Sequence, residues 1–343
     1  MDPNHLPVAD SAPYHEALER CLEHWGLVRD RTSLLRDGVN HVFSSETERG
    51  AAVIVRISDG ELRQRAELEG ELMWLVHLVR HGCTVSTPIH SGRGELLETV
   101  FHEGGAFHVA CFERFAGHLL DPRHDPEWND RLLLELGREI GRIHRASDSL
   151  RLPPARDRRP WYESSYSIFP DPLPSCYAPR VAEAMTAFTH EMRERPRDSR
   201  HYGLVHRDLH AGNFLVEEGR VEIIDFDLGC YGWRGMDFAV LLFAHYCYPS
   251  LSIAGSTPES AGRVLATLAR GYREEHALDD EQLATIDDLI KLHEIVNYVA
   301  CMPALAHWQT AMGDPQPTVR ESSKWIEERW LKGREPQVDL SWL

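Results

Sequence analysis

Lysine is nearly absent from this chain of 343 residues. It occurs only at Lys291, Lys324 and Lys332, so any positively charged side chain that works in the first 290 residues must be arginine or histidine. Long apolar runs are missing too: residues 238–244 form one of the longest, far below the ~20 residues that cross a bilayer. The sequence therefore predicts no membrane span.

The seven cysteines are scattered, odd in number and never spaced as C-x-x-C. This pattern argues against a disulfide framework and a zinc site, and it predicts a reducing, cytoplasmic compartment. The first ten residues, MDPNHLPVAD, are polar and acidic, which predicts that no signal peptide is present. His206 and His210 are four residues apart, but we expect them on a loop, so the two-histidine zinc geometry of a helix does not follow.

Composition and charge narrow the class of protein further. The chain is long enough for two lobes with substantial cores, and its 42% hydrophobic and 27% charged residues are typical of a globular protein. Its formal net charge of −17 disfavours nucleic acid as a partner, because phosphate backbones bind basic surfaces.

Residues 202–240 carry the motif with the clearest chemistry, YGLVHRDLHAGNFLVEEGRVEIIDFDLGCYGWRGMDFAV. Asp208 lies inside HRDLHAGN, Asn213 ends that run, and Asp225 follows twelve residues later. Phosphoryl transfer needs such a set: one carboxylate accepts the proton of an attacking hydroxyl, while an amide oxygen and a second carboxylate hold Mg²⁺ on the nucleotide phosphates. The motif therefore predicts Asp208 as the catalytic base and Asn213 and Asp225 as magnesium ligands.

The spacing of these residues also predicts a hairpin. Residues 214–216 and 221–224 have the pattern of two strands around the turn signal at 217–220. A hairpin of this kind brings Asn213 and Asp225 to one end of the sheet. Two oxygen ligands then face one hard cation, which suits Mg²⁺.

These motifs resemble the aminoglycoside phosphotransferase and choline kinase family, the small-molecule branch of the protein-kinase-like fold. The resemblance is strong over residues 202–240 and weaker in the first hundred residues, and Arg207 replaces the small residue usual in aminoglycoside enzymes. The IDFD-x-x-x-Y-G-W run is most similar to homoserine-kinase-like and stress-kinase-like bacterial members. The residues that carry the resemblance are His206, Asp208, Leu209, His210, Gly212, Asn213, Ile224, Asp225, Phe226, Asp227, Gly232, Asp237, Phe238 and Ala239.

The resemblance implies an α+β, bilobal fold with a small antiparallel β-sheet lobe followed by a larger, mostly helical lobe. We expect the nucleotide-binding lobe at residues 1–112 and the catalytic and substrate lobe at residues 113–343, with a hinge at about 112–117. Backbone groups between Glu113 and Phe115 are then expected to bind the edge of the adenine.

The small lobe offers two sets of candidate nucleotide contacts, of which the turn is the first. Gly38 and Asn40 lie in a predicted strand–turn–strand and would let the backbone approach phosphates. With a single glycine, a plain hairpin explains this turn equally well.

The second set pairs a strand with a helix. Residues 51–57, AAVIVRI, predict a buried strand with one charge, Arg56, where protein kinases carry a lysine that contacts phosphates and pairs with a helix glutamate. Arginine carries the same charge, although a strand-end arginine that reaches solvent remains the alternative. Glu71 falls on the apolar stripe of the predicted helix 62–81, and a buried carboxylate needs a partner, so we expect Arg56 to pair with it.

The remainder of the chain predicts helices. Asn129 is the expected N-cap of a helix at 130–144, and Asp237 is expected to cap the helix at 238–246 and to anchor the loop before it. Only eleven residues separate Asp225 from Asp237 and no A-P-E follows, which leaves no room for a long activation segment. Further helices are expected at 13–25, 178–193, 261–275, 280–300 and 319–331.

The sequence does not decide between several candidates for the acceptor site. Residues 274–294 contain eight acids, which would suit an amine-bearing acceptor or a solvated acidic face. Residues 152–177, rich in proline, arginine and aromatics, fit either a flap over the substrate or a solvated linker. The individual candidates for acceptor contact are Asp227, Tyr231, Trp233, Glu294 and Tyr298.

We therefore expect an enzyme that uses ATP and Mg²⁺ to phosphorylate a hydroxyl of a small molecule: an aminoglycoside-like antibiotic, homoserine or an amino alcohol. Two alternatives remain open. One is a Ser/Thr protein kinase of the bacterial stress-kinase type. The other is a nucleotide-binding pseudokinase that acts as a partner-binding module, which the intact Asp208, Asn213 and Asp225 oppose and Arg56 favours.

Overall fold

The computed structural model describes residues 12–102, 105–163, 178–248, 252–311, 317–332 and 335–343. They form two compact units, and two later segments of the chain return to the first unit. The predicted hinge at 112–117 stays a prediction, and residues 164–177 of the predicted flap and the first ten residues lie outside the described part. The first unit holds the chain up to Gly117 with Leu150–Arg158 and Glu222–Asp227, and the second holds His118–Ser149, Arg159–Val221 and Leu228–Leu343.

An antiparallel sheet is the frame of the first unit. Its strands are β1 (Ser33–Arg36), β2 (Asn40–Glu46), β3 (Ala52–Asp59), β4 (Pro88–Ile89), β5 (Glu98–His102) and β6 (Gly105–Glu113). The order across the sheet is β1-β2-β3-β6-β4, and β5 pairs with the first half of β6. In β3, Arg56 lies between Val42 of β2 and Ala110 of β6.

The side chains of β3 alternate between the two faces of the sheet. Val53, Val55 and Ile57 are buried in a core that they share with helix α1 (Ala12–Trp25). Because successive side chains of a strand point to opposite faces, Arg56 emerges on the other face of the sheet.

The second unit is mostly helical and contains two small antiparallel sheets. Two of its helices approach each other closely at Gly137, because a Cβ there would lie 2.2 Å from the carbonyl oxygen of Leu268. The strands are β7 (Tyr202–Val205) paired with β10 (Cys230–Trp233), and β8 (Phe214–Glu217) paired with β9 (Arg220–Ile223), whose last residues belong to the first unit. Helix α2 of the first unit is Arg65–Arg80; the helices of the second are α3 (Asp130–Ser147), α4 (Pro179–Glu194), α5 (Met236–Leu242), α6 (Pro258–Arg273), α7 (Asp280–Ala284), α8 (Ile286–Ala311) and α9 (Pro317–Lys332).

Local chemistry explains where these elements begin and end. The side chain of Asn129 accepts hydrogen bonds from the first turn of α3, which confirms it as the N-cap. The helix predicted at 280–300 is instead two helices, and Thr285 lies between them with its hydroxyl donating to the carbonyl of Gln282. The helix predicted at 238–246 begins earlier, at Met236, and changes into a π-helical turn over Phe243–Cys247.

Within the described residues, no helix is both long enough and apolar enough to cross a membrane.

Candidate active site

Arg56 and Glu71 form a buried, two-pronged ion pair in the first unit. The guanidinium Nη1 and Nη2 donate to Oε1 and Oε2 of Glu71 at 2.7 and 2.8 Å, and both side chains are buried. Burial alone would lower the pKa of Arg56, but the charge of Glu71 and its hydrogen bonds raise that pKa above the ordinary value. The pairing inferred from the apolar stripe of α2 is therefore present, whereas contact with a nucleotide stays a prediction.

Asn40 and Asp227 belong to a second polar cluster of the first unit. Asn40 donates to Oδ2 of Asp227 at 2.9 Å and accepts from Ser58 at 2.8 Å, while Arg63 contacts the same Oδ2 at 2.5 Å. Burial would raise the pKa of Asp227, but the charges of Arg63 and Arg56 hold it below the usual range. The carboxylate of Asp227 is thus bound by Asn40 and Arg63 of the same unit. Contact of Asp227 with the acceptor stays a prediction.

The chain around Asp225 is held in an unusual conformation. Asp225 has φ 65°, a region that non-glycine residues seldom adopt, and the Arg36 guanidinium lies 4.0 Å from its carboxylate. Two contacts fix the residues that follow it: Phe226 packs edge-on against Trp74 with ring centroids 5.0 Å apart, and Arg158 donates to the carbonyl of Asp227 at 2.5 Å. Tertiary contacts therefore hold the predicted metal ligand in place.

The predicted adenine contacts lie at the end of β6. Glu113 is exposed, and its N–H donates to the carbonyl of Thr87 at 2.9 Å. Phe115 is half-buried two residues later. The N–H of Glu113 is thus occupied, and the role of this segment in binding adenine stays a prediction.

In the second unit, Asp237 holds the start of the loop that carries Asp208. Its carboxylate accepts the N–H groups of His206 and Arg207 at 3.0 and 2.7 Å, and it contacts Nε2 of His144 at 3.0 Å. Arg207, at φ 71°, makes the turn that this pair of hydrogen bonds stabilises. Asp237 therefore anchors the loop as predicted, but its side chain does not cap α5, which follows Gly235 without a side-chain cap.

The ionisation of this buried pair follows from its surroundings. Burial would raise the pKa of Asp237, but the hydrogen bond and charge of His144 hold it below the usual range. Burial lowers the pKa of His144, so a neutral imidazole donates from Nε2 while Nδ1 faces the hydroxyl of Tyr272 at 2.9 Å. A charged carboxylate thus receives donors from the loop and from α3.

Asp208 and Asn213 are in direct contact. The Asn213 amide nitrogen donates to the backbone oxygen and to Oδ2 of Asp208 at 2.8 and 2.9 Å. The Asp208 side chain is about a third exposed, and among the described residues no group donates to its other oxygen, Oδ1. One carboxylate oxygen is therefore oriented by Asn213 and the other is open to a hydroxyl donor.

The amide oxygen of Asn213 has no hydrogen-bond partner within the described part of the chain, although it is buried. A buried polar atom without a partner costs free energy, and an amide oxygen is a ligand that Mg²⁺ accepts. Asn213 belongs to the second unit and Asp225 to the first. Their joint role as magnesium ligands stays a prediction.

The remaining acceptor candidates all lie in the second unit. Both backbone groups of Tyr231 are hydrogen-bonded, and Trp233 is buried against the ring of Trp161. Glu294 is fully buried and accepts from Arg329 and Trp330 of α9, and the hydroxyl of the buried Tyr298 donates to Glu327. Trp233, Glu294 and Tyr298 thus have partners inside the second unit, and contact of these residues or of Tyr231 with the acceptor stays a prediction.

The acidic stretch at 274–294 is likewise paired within the second unit. Glu274 contacts Arg138 at 2.7 Å and Glu275 contacts Arg142 at 3.0 Å. Asp288 contacts Arg195 at 2.6 Å. These ion pairs match a structural acidic face better than an amine-binding surface.

We expect Asp237→Asn to lower the free energy of unfolding by about 2–4 kcal/mol, because a neutral amide replaces the charged acceptor of two buried N–H groups. The pKa of Asp237 is depressed in the fold, so its contribution is complete above the unfolded pKa of about 4 and is lost as the pH falls through the folded pKa. Urea denaturation should show a constant difference between wild type and variant from about pH 5 to 8, and a smaller one below about pH 4. Exposed Asp130→Asn is the control, and a difference that does not change with pH would contradict this role.

Comparison with known proteins identifies the family. The family model described as "Phosphotransferase enzyme family" matches residues 32–280. Amicoumacin kinase of Bacillus subtilis (strain 168) is 30% identical over 292 residues, covering 83% of this chain and 84% of that protein.

Solved structures agree with this match. The amicoumacin kinase hAmiN, solved in complex with AMP-PNP, Ca²⁺ and Ami, is similar with a TM-score of 0.85 and 25% identity over 96% of both chains. A microcompartment-associated aminopropanol kinase shares the fold, with a TM-score of 0.68 and 20% identity over 95% of this chain and all of the other. The predicted resemblance, the α+β kinase-like fold and the predicted class of enzyme are thereby confirmed. The chain belongs to the phosphotransferase enzyme family and is a kinase that uses ATP to phosphorylate a hydroxyl of a small molecule.

Proposed function

We propose that the acceptor is an antibiotic of the amicoumacin type and that the cofactors are ATP and Mg²⁺. The observation that carries the choice of acceptor is the extent of the likeness to amicoumacin kinases. One is 30% identical across most of both chains, and the other superposes with a TM-score of 0.85, against 0.68 for the aminopropanol kinase. Free amino alcohols and homoserine are the less favoured acceptors.

Asp208 is the proposed catalytic base. Its carboxylate is oriented by the amide of Asn213 and keeps one oxygen open, which is the arrangement needed to accept the proton of the attacking hydroxyl. The acceptor then attacks the γ-phosphorus along the line of the breaking bond, and positioning supplies most of the rate enhancement.

Asn213 and Asp225 are the proposed ligands of Mg²⁺. The amide oxygen of Asn213 is buried and has no hydrogen-bond partner among the described residues. An amide oxygen and a carboxylate, as Asp225 offers, are hard oxygen donors of the kind that Mg²⁺ takes. When bound, the ion neutralises negative charge on the nucleotide phosphates. Ca²⁺ in the amicoumacin kinase complex supports a divalent cation in this family.

Arg56 is the proposed contact to the nucleotide phosphates, with Glu71 as the group that orients it. The two-pronged pair fixes the plane of the guanidinium, and no lysine is present in the first 290 residues to take this part. Backbone groups near Gly38 are the proposed cover for the phosphates. The segment from Glu113 to Phe115, at a hinge of 112–117, is the proposed adenine contact.

A coupled assay of ADP release tests the acceptor. With ATP and Mg²⁺, we expect turnover with amicoumacin to exceed that with 1-aminopropan-2-ol, homoserine or kanamycin by at least ~10-fold in kcat/KM, equivalent to about 1.4 kcal/mol of transition-state binding.

The same assay tests the proposed base. Asp208→Asn should reduce the turnover by ~10²–10⁴-fold and leave AMP-PNP affinity nearly unchanged. Equal turnover with all acceptors would overturn the choice of acceptor, and full turnover by Asp208→Asn would overturn the proposed base.

Arg56→Lys tests the phosphate contact. Lysine keeps the charge but cannot bind Glu71 with two parallel hydrogen bonds, so its ammonium is held less firmly. We expect the KM for ATP to rise by ~10-fold, the loss of about one charge-assisted hydrogen bond, with little change in the KM for the acceptor. Arg80→Lys, at an exposed position of α2, is the matched control. An unchanged KM for ATP would remove Arg56 from the nucleotide site.

A further inference from the structure

The short 3₁₀ turn that carries Asn213 is held by two histidines. Its three successive N–H groups are all bonded: Ala211 donates to Nε2 of His245 at 3.0 Å, Gly212 to Nδ1 of His210 at 3.0 Å, and Asn213 to the carbonyl of His210 at 2.8 Å. His210 is a neighbour in sequence, whereas His245 comes from more than thirty residues later. His245 is therefore the tertiary contact of this turn.

His245 owes its position to the π-helical turn over Phe243–Cys247. Such a turn inserts one residue into a helix and shifts the side chains that follow, and it often occurs at functional sites. The ring of His245 is buried and packs edge-on against Trp128 at 5.3 Å, and Trp128 donates its indole N–H to the hydroxyl of Tyr246 at 2.9 Å. Trp128 thus contacts two successive residues of the π-helical turn, His245 and Tyr246.

The chemistry of the contact fixes the state of the imidazole. A backbone N–H can only donate, so Nε2 of His245 must be the acceptor and the proton must reside on Nδ1. Burial lowers the pKa of His245 to about 3, so the ring stays neutral across the physiological range. A neutral side chain with a fixed lone pair can hold a backbone group without adding charge beside Asp208.

We infer that His245 is a positioning residue for phosphoryl transfer: by accepting the N–H of Ala211, it sets the turn that directs the amide of Asn213 onto Asp208. The inference rests on the proposed roles of Asp208 and Asn213. It adds a residue that acts through the backbone of the turn, by its contact with the N–H of Ala211. Because the Asn213 amide bonds both the backbone and the carboxylate of Asp208, a shift of this turn moves the base and the proposed metal ligand together.

Three substitutions separate positioning from packing. His245→Gln keeps an acceptor oxygen at about the place of Nε2, and His245→Leu keeps bulk but removes the acceptor. Thr189→Val removes a buried side-chain hydrogen bond of α4, from the hydroxyl to the carbonyl of Met185 at 2.8 Å, and it leaves the π-helical turn and the N–H of Ala211 untouched. Thr189→Val is therefore the control for the loss of a buried hydrogen bond elsewhere in the second unit.

Steady-state kinetics with ATP, Mg²⁺ and the best acceptor give the first test. We expect His245→Leu to lower kcat by ~10–10²-fold with both KM values within ~3-fold of wild type, because small misplacements of catalytic groups cost rate rather than binding. His245→Gln and Thr189→Val should keep kcat within ~3-fold. Equal losses in His245→Gln and His245→Leu, or full activity of His245→Leu, would overturn the inference.

Nitrogen-15 NMR of the full chain gives a second test that requires no activity. We expect the His245 ring to show an unprotonated Nε2 and a protonated Nδ1 from about pH 5 to 8, and the Ala211 amide to exchange with solvent more slowly in wild type and His245→Gln than in His245→Leu. A proton on Nε2, or exchange that is equal in the three proteins, would overturn the contact. A failure of the proposed function would instead appear as wild-type inactivity with this NMR pattern intact.

Discussion

One buried carboxylate organises the loop that carries Asp208. Asp237 accepts two successive backbone N–H groups at the point where β7 ends, and this makes the positive φ of Arg207 tolerable. His144 and Tyr272 extend the hydrogen bonds to α3 and α6, two helices that approach each other closely at Gly137. Because an unpaired charge at this depth would be costly, the helices and the loop stabilise one another.

In the first unit, buried carboxylates also need partners, and there the partners are arginines. Glu71 and Asp227 are buried carboxylates, and each is matched by a buried guanidinium, Arg56 or Arg63. Arginine suits the place of Arg56 because its planar fork binds both oxygens of Glu71, which a lysine ammonium cannot do. The absence of lysine from the first 290 residues thus agrees with a predicted phosphate contact, Arg56, that is held by both oxygens of Glu71.

Features governed by local pattern could be predicted from the sequence, and those governed by distant contacts could not. The strand that carries Arg56, the N-cap at Asn129 and the hairpin after Asn213 follow from periodicity, capping chemistry and turn signals. The ion pair of Arg56 with Glu71 followed because a carboxylate on an apolar stripe requires a partner. In contrast, the two partners of Glu294 on α9, Arg329 and Trp330, are more than thirty residues away, and nothing near Glu294 in the sequence reveals them.

The roles of Arg63, Arg158 and His245 could not be predicted for the same reason: each contacts a residue far along the chain.

The central claim is that Asn213 links the proposed base Asp208 to the metal ion. Its most direct test is the binding of Mn²⁺ to the AMP-PNP complex of wild type and Asn213→Ala, followed by electron paramagnetic resonance. If the buried amide oxygen of Asn213 is a metal ligand, the variant should bind Mn²⁺ at least ~10-fold more weakly while retaining affinity for AMP-PNP. Equal Mn²⁺ affinity in the two proteins would contradict it.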